Sequence, residues 1–352
     1  MTDSKIRIFT TGAHAHRMPF SYPALASLFV DLVEHVARPE LADLYVFAHS
    51  LDVEAAPKAL VDDWRVRRRP VVILSEEPFW DTIWGRRPTV RQRVIDTVHG
   101  ALPVVQINHQ TSKVFSFDHI PYYLLTNHRF ANMYAARFMR NASVSAAEWR
   151  DRFSARSVDV SFMFERRPEP YHSMCWPSQH LYGLCSWRTE LAEACTQGQV
   201  ERLGRSWQGG PGRLELENWY LDKMIRMNGR ARIQGAVENT HQPQYITEKI
   251  FDAFANGALP LYVAGPEHRL HDFGLPYEAW VNLWGMTPEA AAAHVASQCW
   301  TSEIFEAYAE AQQRLSAVFG APRTWAHERI RLARALRQEL ESILESPAPA
   351  LS

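Results

Sequence analysis

The chain has 352 residues, 46% apolar and 22% charged, and a formal net charge of -1 at pH 7. That length exceeds what one hydrophobic core usually supports, so two domains are expected, and the near-neutral balance excludes an electrostatic case for nucleic-acid binding. No early apolar stretch reaches the length of a membrane span, and Met1 to Ile8 lacks the charged-then-apolar order of a secretion signal; a cytoplasmic protein without an integral membrane segment is expected.

Ile6 to Thr10 alternates as a short strand and leads into a turn containing Gly12, His14 and His16. From Ala24 to Val36 the residues Leu25, Leu28, Phe29, Leu32 and Val36 recur at helical spacing, which predicts a helix there. Leu44 to Phe47 and Val71 to Leu74 are apolar runs of strand length, so the first part alternates strand and helix as an open parallel sheet does. The basic run Arg65 to Arg69 reads as a solvated loop. Ser75-Glu76-Glu77-Pro78 follows directly on the last of those strands. In doubly wound sheets ligands collect beyond the carboxyl ends of strands, which gives that acidic pair a physical reason to matter.

Residues 81–142 mix aromatics, His and Arg with weak periodicity; Pro121-Tyr122-Tyr123 and Asn127-His128 read as packing groups rather than as the lining of a cleft. A helical Phe130 to Met139 and a polar Asn141 to Arg156 precede Val158 to Phe164, the expected first strand of a second α/β unit, which places the boundary near Ser157. Gly204 to Gly212 reads as a mobile loop without the Gly-Lys-Ser/Thr ending of a phosphate-cradling loop. The four cysteines fit neither a CxxC pair nor a zinc site and are expected to be buried free thiols. The histidines lack metal spacing, with only His268 and His271 able to share one side of a turn.

Further on, Glu238-Asn239-Thr240 and a short loop lead to Tyr245-Ile246-Thr247-Glu248-Lys249, which opens a helix closing at Gly257 and feeding the strand Leu259 to Val263. Thr247 and the free amides of a helix start suit an anion, Lys249 adds positive charge in the first turn, and Glu248 can grip two neighbouring ribose hydroxyls. Those groups together ask for a diphosphate and a sugar. Helical phasing turns Ile250, Phe251 and Phe254 inward and Asp252 and Asn256 outward, with Gly257 as a left-handed cap. Beyond a strand near Trp280 to Leu283 the chain becomes helical, with Ile304, Tyr308, Leu315 and Phe319 in one run and Trp325 to Leu344 in another. From Ser346 a frayed tail is expected.

The string ENTHQPQYITEKIFDAFANGALPLYVAG, followed by Pro266 and Asp272-Phe273, resembles the donor-binding signature of the α1,3/4-fucosyltransferases, glycosyltransferase family 10. Two shorter matches stand in the order that family requires: Glu76 shortly before Pro78, and Trp187-Arg188-Thr189-Glu190-Leu191 in place of its Arg-containing helix. The resemblance implies a bacterial-type soluble member with the GT-B architecture. Its two Rossmann-like domains would face a cleft: residues 1–157 on the acceptor side with the catalytic base, residues 158–345 binding GDP-fucose and ending in bracing helices, and a tail at 346–352. It further implies inverting transfer of fucose to a hydroxyl of an oligosaccharide or glycoconjugate, with an α1,3-type linkage to N-acetylglucosamine the leading expectation and a peripheral membrane contact left open. Glu76, or its neighbour Glu77, would be the base. Arg188 and Lys249 would clamp the diphosphate, Thr247 would sit at the phosphate-facing helix start, Glu248 and Asn239 would meet the ribose, and Tyr245 the phosphate or sugar edge. Glu238 would be either a ligand group or a structural carboxylate. No cofactor and no metal are expected, since the chain has no clear Asp-x-Asp motif.

Thr240 stands where the family has Ser, and Gly235-Ala236-Val237 is lighter than the bulky run common there, so a differently shaped donor pocket is expected; a GT-B transferase of another nucleotide sugar and a non-catalytic glycan binder are the alternative readings.

Overall fold

The computed structural model describes residues 5–212 and 215–346. They form two compact units: one runs to His128 and resumes at Trp325, the other spans Arg129 to Thr324.

The first unit is built on β1 (Ile6–Thr10), β2 (Val33–His35), β3 (Leu44–Phe47), β4 (Val71–Leu74), β5 (Gln92–Thr97) and β6 (Gly100–Ile107), in the order β2-β1-β3-β4-β6-β5. All neighbours are parallel except the β5–β6 hairpin. β3 and β4 are buried at every residue, as strands covered on both faces must be, and this is why they read as uninterrupted apolar runs. The helix expected from Ala24 to Val36 is instead a single turn, Ala26–Phe29, followed by β2. There the backbone is committed to the sheet: the Ile6 amide donates to the Leu32 carbonyl at 2.9 Å and the Val36 amide to the Ile8 carbonyl at 3.0 Å. Leu25, Phe29 and Leu32 are buried in either conformation, so their spacing could not separate the two.

Chain order in this sheet reverses between β1 and β3. Gly12, just after β1, has φ +108, and a Cβ there would meet the Asp52 carboxyl carbon at 2.3 Å. The close approach lets the amides of Ala13 and His14 donate to Asp52 at 3.1 and 3.2 Å, tying the loop after β1 to the short helix Ser50–Glu54 after β3.

The second unit carries β7 (Val158–Met163), β8 (Cys175–Trp176), β9 (Leu181–Gly183), β10 (Val200–Leu203), β11 (Ala231–Gly235), β12 (Thr240–His241), β13 (Leu259–Tyr262) and β14 (Val281–Asn282). The main sheet runs β10-β7-β11-β13-β14, all parallel, so its order reverses between β7 and β11; β12-β9-β8 form a small antiparallel sheet. Each unit is therefore a doubly wound α/β structure, as the sequence predicts.

Where the sequence divides the chain at 157/158, the compact units divide at His128/Arg129. The helix His128–Ala142 buries Phe130, Tyr134, Phe138 and Asn141 along one stripe. Tyr134 and Phe138 meet Phe319 at ring distances of 5.2 and 5.4 Å, and the Asn141 amide donates to the Phe254 carbonyl at 3.2 Å. The closing helices part company: Ser302–Phe319 belongs to the second unit, while the run from Trp325 returns to the first, burying Leu332, Leu336 and Leu340. Gly204–Gly212, read as a loop, contains the short helix Arg205–Gln208, and residues 347–352 of the expected tail lie outside the described residues. Two cysteines, Cys185 and Cys195, are buried as expected; Cys175 and Cys299 are exposed, and all four are free. Among the described residues no helix is long and apolar enough to cross a membrane.

Candidate functional site

In the second unit the order reversal between β7 and β11 marks the crevice where open α/β sheets take ligands. Glu238 and Asn239 lie in the loop after β11, and Phe164 follows β7. Arg188, on the helix Cys185–Ala194, spans both: its guanidinium carbon lies 4.8 Å from the Phe164 ring centroid and Nη1 donates to the Val237 carbonyl at 3.2 Å. Arg188 is 6% exposed, its Nε has no hydrogen-bond partner, and among the described residues it faces no carboxylate at ion-pair distance. A guanidinium has five N–H donors and no acceptor, so this side chain is buried with most of its hydrogen-bonding demand unmet by the protein.

The helix Glu248–Ala255 starts beside it. The anion at that helix start is the protein's own: the Thr247 amide and hydroxyl both donate to Glu238 Oε1 at 2.8 Å, and Lys249 Nζ reaches Glu238 Oε2 at 2.8 Å and the Thr247 hydroxyl at 2.8 Å. Glu238 thus has the geometry of a structural carboxylate. Burial raises its pKa against the pull of Lys249. Lys249 is itself held charged, the penalty of burial being outweighed by Glu238 and Glu248, while the nearby Arg188 works the other way.

Glu248 is buried, with Oε1 at 3.6 Å from Lys223 Nζ and 3.8 Å from Lys249 Nζ. Burial opposes its ionisation, and the two ammonium groups overcome that, taking the carboxyl down to about 2. Its Oε2 has no hydrogen-bond partner, and neither does the buried Thr240 hydroxyl. Buried polar atoms are normally satisfied, so an ionised carboxylate oxygen and a guanidinium both left open on this side of the sheet describe a place for a ligand with both hydroxyl donors and anionic acceptors. Asn239 is half-buried, its carbonyl accepting from the Leu184 amide at 2.9 Å; Tyr245 is buried, its amide donating to the Gln242 carbonyl at 3.0 Å.

Asp252 and Asn256, expected outward, are buried. Asp252 accepts from Tyr134 Oη at 2.7 Å, Tyr220 Oη at 2.6 Å and Lys223 Nζ at 2.7 Å, and Asn256 Nδ2 donates to Gln234 Oε1 at 3.2 Å. Every residue of the helix except Lys249 is buried, so Asp252 and Asn256 face partners instead of water. Gly257 closes it at φ +81, as the sequence predicts.

In the first unit Glu76 is 2% exposed. Its Oε1 accepts from Arg17 Nε and Tyr22 Oη, both at 2.6 Å, and its Oε2 from Tyr122 Oη at 2.8 Å. With about two acceptor directions on each carboxylate oxygen, Oε1 is filled and one direction on Oε2 stays open. Burial lifts the Glu76 carboxyl above the ordinary range, and Arg17 restrains the rise. Glu77 receives the second arm of Arg17, Nη2 at 3.2 Å, as an ion pair. The ring of His109 meets the Glu76 carbonyl at 3.1 Å, and burial holds that imidazole neutral, down to about 4.

Several of these side chains are invisible to a reading of local pattern. Arg17 and Tyr22 reach Glu76 from the loop after β1 and Tyr122 from a distant segment, where the sequence suggests a packing role. Lys223 and its tyrosine neighbours around Asp252 carry no motif. His268 and His271, weighed for metal, are used within the fold: His268 Nδ1 accepts from the Leu270 amide at 3.2 Å and His271 Nε2 meets the Gly265 carbonyl at 3.0 Å. Among the described residues Asp118, His327 and Glu328 cluster as metal ligands do, but Glu328 is taken up by the amides of Asp118 and Ile120 at 2.6 and 3.3 Å and by Arg331 at 2.9 Å. A concavity of about 510 Å³ bounded by Asp159, Cys195, Arg232 and Trp300 lies at the amino ends of β7 and β11, and its Arg232 is already paired with Asp159 at 2.9 Å.

No protein-family model matches the chain, and no curated protein sequence does. Among solved structures it is similar to an α1,3-fucosyltransferase with GDP-fucose, at 11% identity over 99% of this chain and 93% of that one, with a TM-score of 0.40. It is similar to an α1,3-fucosyltransferase with GDP at 13% identity over 97% and 91%, TM-score 0.39. Anabaena Alr3699/HepE in complex with UDP and glucose is similar at 11% identity over 96% and 100%, TM-score 0.41. Similarity at this level assigns no ligand and no residue.

Proposed function

We propose that the protein is a GT-B glycosyltransferase that moves fucose from GDP-fucose to a hydroxyl of a glycan with inversion at the anomeric carbon. The observation that carries this reading is Arg188: a buried guanidinium at the order reversal of a parallel sheet, donating to a carbonyl through Nη1 and meeting no carboxylate among the described residues. A diphosphate supplies the acceptors it lacks, each charge-assisted bond contributing about 1.5–3 kcal/mol. The open Oε2 of Glu248 takes ribose hydroxyls, Lys249 adds charge near the departing phosphate, and Asn239 and Tyr245 border the nucleotide. The sequence string from Glu238 onward, through its resemblance to family 10, supports guanosine and fucose as the donor's parts.

Glu76 acts as the base. Its raised pKa suits proton abstraction near neutrality, and its remaining acceptor direction on Oε2 receives the acceptor hydroxyl. Arg188 and Lys249 stabilise the leaving GDP as charge develops on it, in place of a divalent ion. Thermal shift against GDP-fucose, GDP-mannose and UDP-glucose tests the donor: the largest stabilisation is expected from GDP-fucose, and stabilisation by the UDP-sugar alone would end the fucose assignment.

A further inference from the structure

At the order reversal of the first sheet, between β1 and β3, four rings gather. His14, in the loop after β1, lies with its ring 4.9 Å from that of His49, which follows β3, and 5.2 Å from Trp80. His49 stands nearly perpendicular to Trp84 at 4.6 Å, and Trp80 and Trp84 lie nearly parallel at 6.2 Å. Both indoles come from the stretch directly after Glu76-Glu77, Trp84 within the π-helical turn Asp81–Gly85. Such turns recur at functional sites.

Three properties set the chemistry of this cluster. Trp84 is 38% exposed although His49 and Trp80 pack against it, so part of the indole is presented to solvent. Second, Arg17 joins the cluster to the proposed base: its guanidinium carbon is 5.0 Å from the Trp80 ring centroid while its Nε donates to Glu76 at 2.6 Å. Third, the polar groups of the ring cluster itself are already engaged. Arg17 is committed to Glu76 and Glu77, and His14 Nδ1 is paired with Asp52 at 3.0 Å. His49 accepts from the Leu51 amide through Nδ1, and burial holds the ring neutral, down to about 3. A neutral ring with an apolar C–H face and hydroxyls on its edge fits an indole surface with polar neighbours.

We propose that Trp84, positioned by His49 and Trp80, is the platform on which the acceptor's pyranose ring stacks, setting one of its hydroxyls toward Glu76. This rests on the glycosyl-transfer reading above. The test uses the full chain, wild type and the variants Trp84→Ala and Trp84→Phe, on an array of mono- to tetrasaccharides that includes N-acetylglucosamine-terminated glycans, with the best-captured glycan then titrated calorimetrically. Trp84→Ala is expected to weaken that glycan by about tenfold or more, and Trp84→Phe to fall between, since an aromatic face remains. Circular dichroism and thermal unfolding of the same preparations check the fold of each variant, and GDP is titrated into them separately. Capture of no glycan by the wild type, or equal affinity in Trp84→Ala, overturns the platform. A wild type that binds glycan through Trp84 but no nucleotide leaves the platform standing and sinks the transferase reading; one that binds nucleotide but no glycan does the reverse.

Discussion

Replacing Lys223 by Met removes an ammonium shared by two buried carboxylates, with Nζ 2.7 Å from Asp252 and 3.6 Å from Glu248. Breaking a buried ion pair by removing one partner typically costs about 3–5 kcal/mol, because the surviving charge stays desolvated. For a unit the size of Arg129 to Thr324, that corresponds to a fall in Tm of about 6–20 °C. The loss should grow with pH. Burial already lifts the Asp252 carboxyl above its ordinary value despite Lys223, and a folded value above the unfolded one means that stability is complete at low pH and declines as pH rises through the folded value. Deleting the ammonium widens that interval, and within it each pH unit costs about 1.4 kcal/mol. Denaturant unfolding at several pH values between 5 and 8 reads this directly. The double variant Lys223→Met/Asp252→Asn should recover most of the loss and flatten its pH dependence, since Tyr134 and Tyr220 can still hydrogen-bond a neutral amide. A single variant as stable as wild type at pH 7.5, or a loss that does not vary with pH, would refute the reasoning.

The base assignment separates two adjacent residues. Glu76→Gln should abolish transfer while leaving GDP affinity nearly intact, and Glu77→Gln should keep most of the turnover; the reverse pattern, in a radiolabelled transfer assay, moves the role to Glu77. Arg17→Met should displace the acidic limb of the pH–rate profile upward by about 1–3 units, because Arg17 opposes the rise that burial imposes on Glu76. Activity then falls at a higher pH than in the wild type as Glu76 takes up its proton, and an unmoved limb would detach Glu76 from the rate.

Much of the fold was legible because β3 and β4 are buried on both faces, so that Leu44 to Phe47 and Val71 to Leu74 carry no polar interruption. β2 was not, since Leu25, Phe29 and Leu32 satisfy a helical spacing and are buried although the backbone is helical only over Ala26–Phe29. The β5–β6 hairpin escaped as well, lying in the stretch of weak periodicity. At the candidate site Glu76, Arg188, Glu238, Glu248 and Lys249 could be picked from local strings, because each sits beside a strand end or a helix start. Their partners could not. Arg17, Tyr22 and Tyr122 converge on Glu76 only through the tertiary fold, and the phasing rule misplaced Asp252 because it assumes that one face of a helix meets water, whereas every residue of this helix except Lys249 is buried. The same tertiary information changed the anion argument: the charge at the start of the Glu248–Ala255 helix is supplied internally by Glu238, which shifts the demand for an external anion onto Arg188.

Calorimetric titration of GDP into the wild type and Arg188→Ala, in buffer containing chelator, tests the central claim most directly. The account predicts saturable one-to-one binding by the wild type without divalent ions, weakened about tenfold or more in the variant, as the loss of a charge-assisted bond requires. Equal affinity in the two proteins, or wild-type binding that vanishes with chelator, would contradict it.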